Sequence, residues 1–298
     1  MRTYTLALIP FALLAAPRLS AAETTVWRIG SFDHASAEFH GREANAPPVI
    51  DADAPDAVEH WPASQAGSRN VKAGSKAHPR LVRFVLKEPP AGAYTLVLAV
   101  LTGNPRVPRL ELELNGTPGS AYLDRRIAYF AEGRMDSPIN GEARARIAVP
   151  ASVLRQGPNE LKVTAVDDEP DVTGDSSIDW DALELVRDPD LTAPAAGVEV
   201  APSYFYVRMK DGVRELVSVT VSLAEVSGPG DLRFTIAGSD TRATVAPGRF
   251  GQQRYEFPVS EFAAGTPASV ALTMGRSKTE HTVRLAPKRK FTVYIVPH

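Results

Sequence analysis

Apolar and polar side chains alternate with a period of two along much of this chain. Leu110, Leu112 and Leu114 alternate with Glu111 and Glu113, and Ala145, Ile147 and Val149 with Arg144 and Arg146. Successive side chains of a strand point to opposite faces, so this pattern predicts half-buried strands. Further strands are predicted at Thr25 to Ile29, ending at Gly30, and at Val82 to Leu86, Leu161 to Ala165 and Trp180 to Val186. Tyr94 to Leu101 is apolar at both parities and reads as a central strand. Asn115-Gly116 marks a hairpin and Pro89-Pro90-Ala91-Gly92 a turn. Residues 31–80 are polar, carry Pro47-Pro48 and read as long loops. Seven or eight short strands without a helical period predict an all-β fold over 23–188, a jelly-roll (galactose-binding-like) β-sandwich.

A linker follows at 189–197, and a second all-β unit at 198–288. Tyr204 to Met209 and Val213 to Leu223 flank a Lys210-Asp211-Gly212 hairpin, and Val217, Val219, Val221 and Leu223 share a face. Leu232 to Ile236, Arg254 to Val259, Val270 to Met274 and Thr282 to Leu285 bring the set to the size of an Ig-like β-sandwich. Phe291 to Val296 is nearly unbroken apolar sequence, as in a strand buried on both faces of a parallel sheet. Such a strand needs a crossover and a partner. Residues 289–298 are therefore expected to be the first strand of a truncated further domain.

Composition narrows the function classes. A formal net charge of −2 gives no bulk attraction to nucleic acid or an anionic membrane. With Cys at 0, disulfides, thiolate metal sites and a cysteine nucleophile are excluded. Arg2, the apolar stretch Leu6 to Ala16 and the small residues Ser20-Ala21-Ala22 predict a signal peptide over 1–22, cut before Glu23. The stretch is too short to span a bilayer, and Pro10 and Pro17 break it. The expected product is secreted or periplasmic, with no membrane attachment after cleavage.

Chemistry-bearing residues are few. Asp179 and Asp181 flank Trp180 at strand spacing, which sends both carboxylates to one face. Two carboxylates at that separation suit glycosidase chemistry. They equally suit tying down loop N–H groups or holding a structural cation. For a structural Ca²⁺ bridging an early and a late strand, the candidates are Asp33, Glu38 and Asp181. Asp167-Asp168-Glu169, with Asp171 and Asp175, forms an acidic loop without EF-hand spacing. The six histidines show no metal-ligand spacing. Sugar recognition needs a planar ring beside fixed polar donors. Trp61, Tyr122, Tyr129, Phe130 and Trp180 are the rings, with Asp124, Arg125 and Arg126 interleaved between Tyr122 and Tyr129. The carbohydrate-binding candidates are Trp61, Tyr122, Asp124, Arg125, Arg126 and Tyr129.

Two segments resemble known families. Val26-Trp-Arg-Ile-Gly-Ser-Phe-Asp-His-Ala-Ser-Ala-Glu-Phe39 resembles the opening of the third domain of rhamnogalacturonan lyases, polysaccharide lyase family 4. Leu110 to Gly116, Ile147 to Asn159 and Ile178 to Leu185 match later pieces of that domain in order. The resemblance spans about residues 24–188 and implies a carbohydrate-binding-like jelly roll with a glycan partner. Val293-Tyr-Ile-Val-Pro-His298 resembles the first strand of family 38 glycoside hydrolases, the alpha-mannosidases. That likeness implies a metal-dependent hydrolase domain downstream in cis, with Zn²⁺ held only there. The region itself then reads as a non-catalytic carbohydrate-binding or bracing region. The alternatives are a polysaccharide-lyase-related module acting on pectic glycans, and a purely structural sandwich pair.

Overall fold

In a computed structural model of the chain, the described residues are 24–40, 49–102, 109–123, 141–167, 176–188 and 196–288. The expected leader, the strand expected at 291–298 and residues 189–195 of the linker lie outside them. Among the described residues no helix is long and apolar enough to cross a membrane.

The first unit is a sandwich of two sheets. One runs β1 (Thr24–Gly30), β10 (Ser177–Asp188), β5 (Ala93–Thr102), β8 (Gly141–Val149), with β3 (Ser64–Ala66) paired to β10. The other runs β7 (Thr117–Ala121), β6 (Arg109–Leu114), β9 (Gly157–Val166), β4 (Arg80–Leu86), β2 (Val49–Asp51). The alternating leucines of β6 face inward and join Leu96, Leu98, Ile147, Leu183 and Val163 in one core. Trp27 belongs to it, its ring 5.6 Å from that of Phe84. The predicted β6–β7 hairpin forms, with Asn115 at φ 50° and Gly116 at φ 86°. The Asn115 amide also donates to Val153 O and Asn159 Oδ1, each at 2.8 Å. That side chain closes the turn onto the Pro150–Asn159 segment.

The second unit packs β11 (Ala196–Met209), β12 (Gly212–Leu223) and β15 (Phe250–Val259) against a four-stranded sheet. The order there is β14 (Ser239–Val245), β13 (Gly230–Ile236), β16 (Thr266–Met274), β17 (Ser277–Leu285). Its core centres on Phe234 and Phe257, stacked at 5.3 Å, with Val217, Val219 and Val221.

Three features depart from the expectation. The supposed loop over 31–80 contains β2, β3 and a single helical turn, α1 (Ala57–His60). Each is too short for periodicity to register. Strand β14 was not predicted, because as an edge strand it buries little more than Val245. The third departure joins the units. Strand β15 pairs in parallel with β7, Phe250 opposite Gly119 and Gly251 opposite Ser120, so one eight-stranded sheet runs through both.

Candidate functional site

The motif opening the first unit builds a loop that folds onto its own strand. Gly30 has φ +85°, and a Cβ there would lie 2.5 Å from both Asp181 O and Phe39 Cζ. The missing side chain lets Phe39 enter the core. Glu38 Oε1 accepts from Ser31 N at 2.9 Å. Asp33 Oδ1 and Asp181 Oδ1 both accept from Ala35 N, at 3.0 and 3.2 Å. Phe32 lies beside the Arg144 guanidinium at 4.3 Å and that of Arg28 at 5.3 Å. Strands β1 and β8 are the outer members of their sheet, so Phe32 reaches across β10 and β5 to meet Arg144. Arg28 also donates to Glu184 Oε1, at 2.5 Å from Nη2, and Thr25 Oγ1 donates to the same oxygen at 2.7 Å.

The acids expected to hold Ca²⁺ therefore serve the loop. Asp33, Glu38 and Asp181 each accept a backbone N–H, and among the described residues no three His, Asp or Glu side chains converge as a cation would need. A register shift between Trp180 and Ala182 leaves Asp181 outside the β10–β5 ladder. That bulge breaks the alternation expected to align Asp179 with Asp181. Asp167 is likewise committed, accepting from Arg69 N and Ser176 Oγ at 2.8 Å each. The rest of the acidic loop, 168–175, lies outside the described residues.

Two of the expected sugar platforms are corrected. Trp61 and Trp180 are both 0% exposed, and their rings meet edge to face at 5.5 Å in the middle of the core. Helix α1 and β3 bracket Trp61 in sequence and carry it inward, which the reading of 31–80 as loop concealed. Asp124, Arg125, Arg126, Tyr129 and Phe130 lie outside the described residues.

Tyr122 is half-buried at the seam between the two units. Its N–H donates to Gln252 Oε1 at 2.8 Å, and Ser120 Oγ donates to Gln252 O at 2.5 Å. The Arg254 guanidinium sits 4.5 Å from the Tyr122 ring and that of Arg109 sits 5.9 Å away. Arg254 is oriented by Thr220 Oγ1 at 3.1 Å, and Arg109 by Glu111 at 2.9 Å. The ring therefore lies beside guanidinium groups, which among the described residues come from β6 and from the second unit. No local pattern pointed to Arg254, whose contact with Tyr122 exists only once β15 joins β7.

Tyr255 adjoins this seam. Its hydroxyl donates to Gln253 Oε1 at 2.8 Å. Burial pushes its phenol above the ordinary 10.0, and the nearby Tyr122 adds to the rise. Above pH 10 the unfolded chain releases a proton that the native chain keeps, so stability falls as pH rises from there through the native value. Ultraviolet titration of the native protein should show Tyr255 ionising late. Its ionisation should move back toward 10 in a Tyr122→Phe variant, and an unchanged curve would contradict the coupling.

The family described as "CBM-like: Polysaccharide lyase family 4, domain III" matches residues 25–185, more than half of the 298-residue chain. No curated protein matches. Among solved structures, a GH2 beta-galacturonidase from Eisenbergiella tayi is 13% identical with a TM-score of 0.24, covering 76% of this chain and 38% of that one. Beta-glucuronidase 2 of Bacteroides uniformis, a calcium-binding mutant, is 13% identical with a TM-score of 0.25, covering 89% and 32%. A beta-D-mannosidase from Dictyoglomus thermophilum is 11% identical with a TM-score of 0.23, covering 72% and 30%. This chain thus spans between 30% and 38% of the length of those three proteins. The opening motif, the Asn115 hairpin and β10 as far as Leu185 fall inside the matched span, and the chain belongs to the carbohydrate-binding-module-like family of polysaccharide lyase family 4, domain III.

Proposed function

We propose that this chain is the non-catalytic glycan-binding region of a secreted carbohydrate-active enzyme, and that it takes sugar at the Tyr122 seam. The observation that carries the reading is the Tyr122 ring, held through Gln252 with guanidinium groups from both units beside it. A ring of this kind packs against the C–H face of a sugar, and arginines bind its hydroxyls or carboxylate. The resemblance of Val293 to His298 to the first strand of family 38 hydrolases supports a metal-dependent mannosidase as the catalytic partner in cis. The apolar leader supports export.

Affinity electrophoresis of the chain through gels of mannan, pectic and other polysaccharides tests binding. At least one should retard it, and Tyr122→Ala should weaken that retardation roughly ten-fold. A wild-type protein that no polysaccharide retards would leave only the bracing role. Release of unsaturated or reducing sugar by this chain alone would establish the lyase-related enzyme instead.

A further inference from the structure

The second unit supplies part of the first unit's interior. Phe250 opens β15, is 0% exposed, and belongs to the core of the first unit rather than to that of its own. Val226, from the loop before β13, packs against the same core. Gly119 makes room for the ring, since a Cβ there would stand 2.7 Å from Phe250 Cε1. Hydrogen bonds continue the joint along the strand. Ser120 Oγ and Tyr122 N both donate to Gln252, and Arg249 Nη2 donates to Gly119 O at 3.4 Å. Arg254 reaches Tyr122 two residues further on.

We infer that β15 makes the two units one folding and binding body, with Phe250 completing the first core and Gln252 positioning Tyr122 for the ligand. The binding half of this inference rests on the Tyr122 reading above; the folding half does not. An isolated first sandwich would expose the pocket that Phe250 fills and would lack Arg254. The second unit is then half of the site and not a spacer.

The three tryptophans Trp27, Trp61 and Trp180 all lie in the first core, so fluorescence reports that unit alone. Phe250→Ala lies in the second unit, yet it should lower the tryptophan-detected melting midpoint of the full chain by roughly 10 °C. Phe250→Leu should give a smaller shift in the same direction and serves if the alanine variant does not fold. Tryptophan and far-ultraviolet circular dichroism should report one shared transition in the wild type. A tryptophan transition that either variant leaves in place, while the circular dichroism transition moves, overturns the inference.

Gln252→Ala should weaken glycan retardation roughly five-fold with the tryptophan midpoint nearly unchanged. Gln252→Glu, which keeps an acceptor for Tyr122 N–H, should restore it. Retardation unaffected by Gln252→Ala removes the positioning role. If wild type is not retarded at all, the glycan reading fails, while the fluorescence arm still decides the joint.

Discussion

Trp180→Ala should destabilise the protein by about 4 kcal/mol, the upper range for removing a buried aromatic ring. The ring is 0% exposed and packs edge to face with Trp61, so its removal leaves a void beside a second large ring that no neighbour can fill without leaving its rotamer. Chemical denaturation followed by far-ultraviolet circular dichroism reads the loss directly. Trp180→Phe makes the test specific. The buried indole nitrogens of Trp61 and Trp180 make no hydrogen bond, so phenylalanine gives up volume but no polar contact. It should cost less than half as much as alanine. Equal losses for the two variants would mean that the indole N–H has a partner after all. If Trp180 were instead a sugar platform, the alanine variant would keep its stability and lose glycan retardation.

Gly30→Val should cost about as much, for a different reason. The backbone there is left-handed at φ +85°, which a β-branched residue occupies only under strain of about 1–2 kcal/mol. The new side chain would also drive into Asp181 O and the Phe39 ring, each 2.5 Å from the Cβ position, adding an overpacking cost of about 1–3 kcal/mol. Relief requires Phe39 to leave the core, and with it the loop of residues 31–40 that Glu38, Asp33 and Asp181 tie down. The expected result is a lower midpoint together with protease cleavage within that loop. Gly30→Ala should behave the same way, more mildly. A valine variant with a wild-type midpoint would show that Phe39 does not need the space.

Local pattern carried most of the fold. The leucines of β6, the two-faced apolar run of β5 and the Asn115-Gly116 turn express rules that act over a few residues, and each formed as read. Elements of three or four residues escaped because a period of two needs more length to show. Strand β14 escaped because an edge strand buries too little to alternate clearly. The candidate site was only partly legible. Sequence identified Tyr122 as a ring for sugar recognition; the arginines it paired with that ring, Arg125 and Arg126, lie outside the described residues, and the two that pack beside it within them, Arg109 and Arg254, come from β6 and β15.

The sequence by itself determined the class of fold and, in outline, the membership of its family. Those follow from side-chain period, turn chemistry and motif spacing, all local along the chain. Only the tertiary structure decided which aromatics are interior and which reach the seam. Whether Trp61 faces solvent depends on what packs over it, and whether Arg254 meets Tyr122 depends on a parallel pairing between strands more than a hundred residues apart. Burial and cross-strand contact are properties of where distant segments meet. Asp33, Glu38 and Asp181 illustrate the same point, because only the folded loop shows which backbone N–H groups these carboxylates meet.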